Sequence, residues 1–235
     1  MEKRILVWDI PTRIFHWTLA LSFAGAFLTA ESEKFRDIHV LCGYLALGMI
    51  GFRLVWGLIG SRHARFSDFV RGPAAVMRYL RSLVANRPEH HVGHNPAGAI
   101  AVMLLLALGL GTGIAGWMTF NGIGGDMFEE LHEGLANTML AVVIVHVVGV
   151  IVSSRLHREN LVGAMVTGYK NGPANEGIPR RHGIIAVMLI ASVATFGWSL
   201  TQGKLPGLYD PGVVAAEKSI KQEGHHGRKR KHEHD

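Results

Sequence analysis

The sequence predicts an all-α integral membrane protein, in which four transmembrane helices form a bundle and a fifth follows near the C-terminus. Three observations lead to this prediction. The 235 residues are 49% hydrophobic and only 18% charged, which is too apolar for an ordinary soluble domain. Uncharged apolar runs of about 20 residues, the length that spans a bilayer, recur along the chain. Lysine and arginine gather in alternate connections, as in multi-pass proteins of the bacterial inner (cell) membrane.

The first predicted span is the apolar run Ile14 to Ala30, which follows a basic N-terminus. No small-residue cleavage pattern ends the run, so it is predicted to be a retained helix rather than a signal peptide. Thr12 is predicted to cap this helix, which places His16 one turn inside it. The basic residues in front of it predict that the N-terminus is cytoplasmic.

The second span runs from about Ile38 to Gly60, begins with His39 and contains one charge, Arg53. Arg53 follows His39 by 14 residues, so it faces the same way about 21 Å deeper, at the level of His16. It is either an interfacial residue that extends toward the headgroups or a charge with a buried partner. Cys42 is the single cysteine, which excludes an intramolecular disulfide and any multi-cysteine metal site, and it is assigned to packing.

A long basic connection, residues 61–95, joins the second and third spans and is predicted to be cytoplasmic. Within it, Pro73 to Val84 sets an apolar face beside an arginine-rich one, as in a helix that lies in the headgroup region. The apolar face comprises Val76, Tyr79, Leu80 and Leu83. Surface or capping roles, rather than iron ligation, are predicted for the four histidines of this connection: His63, His90, His91 and His94.

The third span starts with Asn95 as N-cap and Pro96 as first helical residue, and continues to about Phe120. It has no histidine. Its glycines would let a neighbouring helix or a flat cofactor approach the backbone, and close helix packing alone explains them as well: Gly98, Gly109, Gly111, Gly113 and Gly116. The next loop, Asn121 to Leu131, has acidic residues and no lysine or arginine, as an external loop should.

The fourth span, Leu131 to Ser154, carries His132 at its mouth and His146 within it. His146 follows by 14 residues, so it lies about 21 Å along the axis and about 40° around from His132. Both imidazoles therefore face one side of the helix at opposite depths. Burying such a side chain in hydrocarbon without a partner is costly, so it is either functional or satisfied by a neighbouring helix.

A fifth uncharged run, Gly183 to Gly203, is predicted to cross outward and to leave the C-terminus in the periplasm. Residues 204–235 form a polar, basic tail whose composition predicts disorder. A solvated tail is favoured over a loose metal site at its histidines, His225, His226, His232 and His234. The chain thus divides into a membrane domain, residues 1–172, a linker with the fifth span, residues 173–203, and the tail.

The four histidines of the predicted spans lie at two depths in the membrane, two histidines at each depth. His16 and His146 form an inner pair near the cytoplasmic side, and His39 and His132 form an outer pair near the opposite side. Two nitrogens at one level fall short of the four ligands that zinc usually takes, although Glu133 keeps zinc as an alternative.

Haem fits these pairs better than zinc. It supplies four equatorial nitrogens itself, so the protein need provide only axial ligands from facing helices. With both axial positions filled at two haems, electron transfer is predicted rather than oxygen activation. Arg53, at the inner level, becomes a predicted partner for a haem propionate, where each charge would compensate the other.

Five blocks of the sequence resemble successive blocks of the bacterial cytochrome b561 and nickel-iron hydrogenase b-type cytochrome subunit family: WDIPTRIFHWTLALSF, HVLCGYLALGMIGFRLVWGLIGSRHARFSDF, GHNPAGA, LHEGLANTMLAVVIVHVVGV and RENLVGAMVTGYKNG. The resemblance covers about Val7 to Gly172. It implies a four-helix bundle with two haem b groups that passes electrons between the quinone pool and a periplasmic partner. The family's axial histidines fall on His16, His39, His132 and His146. The fifth span and the histidine-rich tail depart from the family pattern.

The leading interpretation is a membrane-bound dihaem cytochrome b of a respiratory chain, which exchanges electrons between a quinone and a periplasmic cytochrome c or another redox protein. One alternative is a superoxide oxidase that passes electrons to ubiquinone, with Lys34 and Arg36 attracting the anion. Another is a metal transporter that uses the histidines as a relay and the tail as a collector. The net charge of +6 does not indicate a nucleic-acid partner, because topology explains where the basic residues lie. No residue is assigned a catalytic role.

Overall fold

The computed structural model describes residues 3–85 and 89–202 of the chain. Within these ranges the helices are α1 (Ile10–Thr29), α2 (Arg36–Ile59), α3 (Phe66–Phe69), α4 (Pro73–Val84), α5 (Pro96–Phe120), α6 (Asp126–Leu156), α7 (Leu161–Thr167) and α8 (Gly183–Thr201), and the strands are β1 (Lys3–Leu6) and β2 (Tyr169–Gly172). The chain forms two compact units, residues 1–190 and 191–235. Of the second unit the structure describes only the last part of α8, and the predicted tail lies outside the described residues.

Three helices in the described part of the chain are long and apolar enough to cross a membrane. They are α2 with the turn before it (Glu33–Ile59), α5 and α6. Helix α1, which carries Arg13 and His16, is not among them, and the apolar part of α8, Gly183–Ser199, is shorter. The chain is therefore a helical membrane protein, and the count of four spans plus one stays a prediction.

The helices that carry histidine face one another across the bundle. Helix α1 packs against α2, α2 against α5, and α5 against α6. Among the described residues, α6 has no extensive packing against α1 or α2. The interior between these helices is therefore lined by side chains from α6 on one side and from α1 and α2 on the other.

Helix α1 begins earlier than predicted. Asp9, not Thr12, is its N-cap, and the Asp9 carboxylate accepts a hydrogen bond from the backbone N–H of Thr12 at 2.8 Å. Pro11 occupies the first turn, where its missing N–H leaves no hydrogen bond unmade. The prediction of Thr12 was wrong because the sequence Asp-Ile-Pro already satisfies the free N–H groups of the first turn.

Helix α5 begins as predicted. Asn95 is its N-cap and accepts from the backbone N–H of Gly98 at 2.7 Å, and Pro96 is its first residue. Helix α6 is longer than the predicted span because Gly125, with φ of 59°, lets the chain turn directly into Asp126.

The helix predicted within the basic connection is also present with the predicted bounds, as α4, while its location in the headgroup region stays a prediction. Tyr79 is buried against the bundle, whereas Leu80 is 42% exposed and does not belong to the inward face. Leu80 and Met77 instead form the exposed side of the helix together with Arg78.

A small layer outside the bundle departs from the all-α prediction. Strands β1 and β2 pair antiparallel, with Lys3 opposite Gly172 and Leu6 opposite Tyr169. Beside them lies a hydrophobic core of Ile5, Val7, Trp8, Val92 and Ala164. We call β1, β2, α7 and residues 89–95 the cap. It joins the N-terminus, the loop before α5 and the segment after α6 into one layer.

Candidate functional site

The outer pair is formed by His39 on α2 and His132 on α6. Their ring centroids are 6.0 Å apart and their planes cross at 78°. A metal bonded to one nitrogen of each ring at about 2 Å would separate the ring centres by about 6 Å. The two helices therefore hold these imidazoles at the spacing that an iron atom between them requires.

Both outer imidazoles are oriented by backbone carbonyl groups. Nδ1 of His39 lies 2.8 Å from the carbonyl oxygen of Ala26, and Nδ1 of His132 lies 2.9 Å from that of Thr112. Since a carbonyl oxygen only accepts, each Nδ1 must carry the proton and donate it. Nε2 of each ring then keeps its lone pair, which is the arrangement of a metal-binding histidine with its supporting hydrogen bond.

Gly116 on α5 makes room for the ring of His132. A Cβ atom at this position would lie 2.7 Å from Nδ1 and 2.8 Å from Cε1 of that ring. At Gly109 a Cβ would instead lie 2.7 Å from the Cδ1 atom of Ile50 on α2. The glycines of α5 thus serve close helix packing along most of its length and support a histidine near its end.

The inner pair is formed by His16 on α1 and His146 on α6. Both side chains are half-buried, and they lie close enough to interact electrostatically. Nδ1 of His16 is buried and has no hydrogen-bond partner among the described residues, and its ring packs edge-on against Trp17 at 5.1 Å. The structure brings together both pairs that the depth argument predicts, while ligation itself stays a prediction.

Arg53 on α2 is buried among aromatic rings. It is 2% exposed, and its guanidinium lies over the ring of Phe66 at 4.8 Å and near those of Phe69 and Phe15 at 5.7 and 5.9 Å. Its Nη1 atom has no hydrogen-bond partner among the described residues. A buried guanidinium with a free donor suits a carboxylate group such as a haem propionate.

Asp9 is a member of this site that the sequence argument missed. It is fully buried, accepts from Nε1 of Trp56 at 3.1 Å, and interacts electrostatically with Arg53. Nδ1 of His182, just before α8, lies 3.6 Å from the same carboxylate. The sequence Asp-x-Pro at the start of α1 could have identified Asp9 as an N-cap. It does not indicate that Asp9 is also a charge partner of Arg53.

Two loop histidines are not at the surface. His63, predicted to have a surface or capping role, is 3% exposed, with Nδ1 3.1 Å from Asp68 and Nε2 2.8 Å from the carbonyl oxygen of Glu176. It is buried because these two partners satisfy both ring nitrogens. His94 packs between Trp8 and Phe69, with ring centroids at 4.7 and 4.5 Å.

The surroundings of His94 keep its imidazole neutral. Burial, followed by the charges of Arg53 and His146, lowers the pKa of His94 to about 3. Its Nδ1 atom is buried without a hydrogen-bond partner in the described part of the chain. His94 therefore lies near the inner pair as a neutral residue with an unused polar atom.

The model of one protein family, prokaryotic cytochrome b561, matches residues 7–168. The chain belongs to this family. Membership makes it a membrane-bound b-type cytochrome, an electron-transport protein that carries haem b. The residues described above fit that group, since each histidine pair can supply axial nitrogens and Arg53 offers a free buried donor.

Curated relatives resemble the chain over most of its length. Proteins named probable Ni/Fe-hydrogenase B-type cytochrome subunit from Cupriavidus necator and Azotobacter vinelandii are 26% and 25% identical to it; each alignment covers 72% of this chain, and 87% and 89% of the respective relative. The protein of the same name from Rhodobacter capsulatus is 22% identical, with 71% of this chain and 81% of the relative covered. No solved structure matches the chain significantly.

Proposed function

We propose that this cytochrome holds two haem b groups, one between His39 and His132 and one between His16 and His146. The observation that carries the proposal is the outer pair, whose imidazoles are 6.0 Å apart with both Nδ1 atoms anchored on carbonyl groups. The same helix, α6, supplies one histidine to each pair. His132 and His146 are roughly 21 Å apart along it, too far to bind one iron.

The protein's part is to hold the groups and to control their environment. When bound, haem b supplies a one-electron couple between ferric and ferrous iron. Two histidines per haem leave no iron position for oxygen, which supports electron transfer rather than oxygen activation. Arg53 would bind a propionate of the inner haem through its free donor, and Asp9 interacts electrostatically with the same guanidinium.

The two haems form a path across the inner (cell) membrane between a quinone and a periplasmic redox partner. The arginine-rich connection, residues 61–95, and the basic N-terminus support a cytoplasmic location for the cap. Residues 31–37 and 126–133, near the outer pair, carry seven acidic and two basic side chains, all of them exposed. Only two basic side chains lie there, against the many arginines of residues 61–95, which supports a periplasmic location for that end. The C-terminus would share this location if α8 crosses outward.

The partner at the outer face is a redox protein with a basic docking surface. Exposed negative charge near the outer haem attracts such a surface and speeds encounter. The names of the relatives make a nickel-iron hydrogenase the first partner to test, and a periplasmic cytochrome c the second. The same excess of acidic side chains disfavours superoxide as the substrate, because Lys34 and Arg36 are outnumbered.

A haem count and a spectrum of the purified full chain test this function. We expect about two haems per chain by pyridine haemochrome assay and a low-spin, six-coordinate spectrum. A histidine relay for metal ions would show no haem spectrum. One haem per chain, or a high-spin component, would disprove one of the two axial pairs. Reduction by quinol, followed by oxidation with each partner, then assigns the path.

A further inference from the structure

A polar cavity lies between the end of α6, the start of α5 and the cap. Its volume is about 40 Å³, which accommodates more than one water molecule. The polar side chains around it are His90, His91, Asn95, His157, Glu159 and Lys170. His90 is exposed, so the cavity extends to the surface of the protein.

Lys170 and Glu159 lie in the wall of this cavity and form an ion pair. The Lys170 side chain is 3% exposed, and its Nζ lies 3.0 Å from Oε2 of Glu159 and 3.0 Å from the carbonyl oxygen of Val92. It also donates to the carbonyl oxygen of His91 at 3.3 Å. With three acceptors the ammonium group of Lys170 is held in place beside the Glu159 side chain.

Two atoms around the cavity are left with unused hydrogen-bonding capacity. Oε1 of Glu159 and Nε2 of His91 are buried without a hydrogen-bond partner among the described residues. Buried polar atoms in proteins are nearly always paired, and water is the usual partner where protein atoms do not reach. Nε2 of His91 lies 3.7 Å from Oε2 of Glu89, too far for a direct hydrogen bond, so water in the cavity could pair with it and with Oε1 of Glu159.

Two of the histidines around the cavity, His90 and His157, lie close together. The rings of His90 and His157 are 5.6 Å apart. Burial is the main cause that lowers the pKa of both His91 and His157. The charged and titratable groups that face these two are Glu89, Arg71, His90, Glu159 and Lys170. Neutral imidazoles between a carboxylate and water can accept and release a proton in turn.

The cavity is linked to the inner pair through the chain itself. Asn95 lines the cavity, and His94, the residue before it, lies close enough to His146 and Lys170 to interact with both. The buried Nδ1 atom of His94 is unpaired in the described structure. His94 thus lies within electrostatic reach of both the inner pair and Lys170 of the cavity.

We propose that this cavity is a proton relay between the cytoplasm and the inner haem, running from His94 through cavity water, His91 and Glu159 to His157 and His90. The proposal rests on the quinone-linked function proposed above. Oxidation of one quinol breaks two O–H bonds, and its two electrons leave one at a time through the inner haem. The two protons pass through the relay to the cytoplasm, and quinone reduction takes up two protons by the same route.

Quinol-driven reduction of the full-length protein in detergent tests the relay, with a short-chain ubiquinol as the probe. His157→Gln leaves the Lys170 to Glu159 pair intact, and Glu159→Gln removes the carboxylate. We expect both variants to keep the haem spectrum while quinol-driven haem reduction slows at least about tenfold. The solvent deuterium isotope effect should rise, and added imidazole should restore the rate of His157→Gln. Reduction by dithionite, which delivers no proton through the relay, should be unchanged.

Glu176→Gln is the matched control, since the described hydrogen bonds of Glu176 are made by its backbone, the N–H to Pro173 and the carbonyl to His63. It should reduce at the wild-type rate. Normal rates and isotope effects in both relay variants would overturn the relay and leave the dihaem function standing. A wild-type protein with a normal haem spectrum that quinol does not reduce would overturn the quinone assignment, and the relay with it.

Discussion

The outer and inner histidine pairs differ in how the protein holds and surrounds them. Each outer imidazole donates to a carbonyl group of a neighbouring helix, and the residues around that pair are exposed and acidic. Nδ1 of His16 in the inner pair lacks such an acceptor in the described structure. Buried Arg53 lies 5.9 Å from the ring of Phe15, the residue before His16, and buried Asp9 interacts with Arg53. At the outer site the protein therefore fixes the orientation of the two imidazole rings. At the inner site it supplies buried charged side chains. Mutations should separate these two contributions.

The largest effect should come from removing one ligand of each pair. His39→Ala should abolish the outer haem and His146→Ala the inner one, so each variant keeps about half of the haem. Redox titration of the two variants should show loss of different components. Ile38→Ala and Val145→Ala are matched controls, because these neighbours are 46% and 68% exposed and should leave both haems in place. Loss of the same component in both histidine variants would refute the pairing.

A smaller effect should follow from crowding the outer histidine. Gly116→Ala places a methyl group 2.7 Å from Nδ1 of His132, so the ring must shift. Overpacking of this kind costs about 1–3 kcal/mol, and we expect weaker binding of the outer haem with the inner haem unchanged. Gly134→Ala is the control, because a Cβ there meets no atom within 4 Å and alanine favours the helix. Equal haem loss in the two variants would mean that Gly116 has no special role.

Removing the buried arginine should change the inner haem without releasing it. Arg53→Gln deletes a positive charge, which favours the ferric state because that state carries one more positive charge than the ferrous state. We expect the midpoint potential of the inner haem to fall by roughly 60 mV, a tenfold change for one electron. Arg53→Lys keeps the charge and should shift it less. A shift confined to the midpoint potential of the outer haem would show that Arg53 acts on that haem and not on the inner one.

The smallest effect should come from the partner of that arginine. Asp9→Asn keeps an amide oxygen able to cap α1, since asparagine and aspartate are about equally good N-caps. The negative charge is lost, and so is the acceptor for Nε1 of Trp56, so the inner potential should rise, by less than the fall seen with Arg53→Gln. The free energy of unfolding should fall by about 1–3 kcal/mol, because the buried Nε1 of Trp56 is left without its acceptor. A fall in potential, or an effect as large as that of Arg53→Gln, would contradict the proposed balance of charges.

The sequence predicted the histidine pairing because a helix has a fixed rise and rotation per residue. Fourteen residues separate His132 from His146, and that spacing alone puts them on one side of α6 at different depths. Asn95 and Pro96 likewise identified the start of α5, because capping depends only on neighbouring residues. The family followed from the same local blocks, which the match over residues 7–168 confirms.

Tertiary structure alone decided what surrounds those histidines. The carbonyl of Thr112 supports His132 from 20 residues away, and β1 meets β2 from opposite ends of the domain. Asp9 and Trp56, 47 residues apart, share a hydrogen bond beside Arg53. The periodicity of one helix carries no information about such contacts, because they depend on how separate segments pack. The sequence by itself thus determined which histidines could pair, and packing decided which atoms orient them and which charges face them.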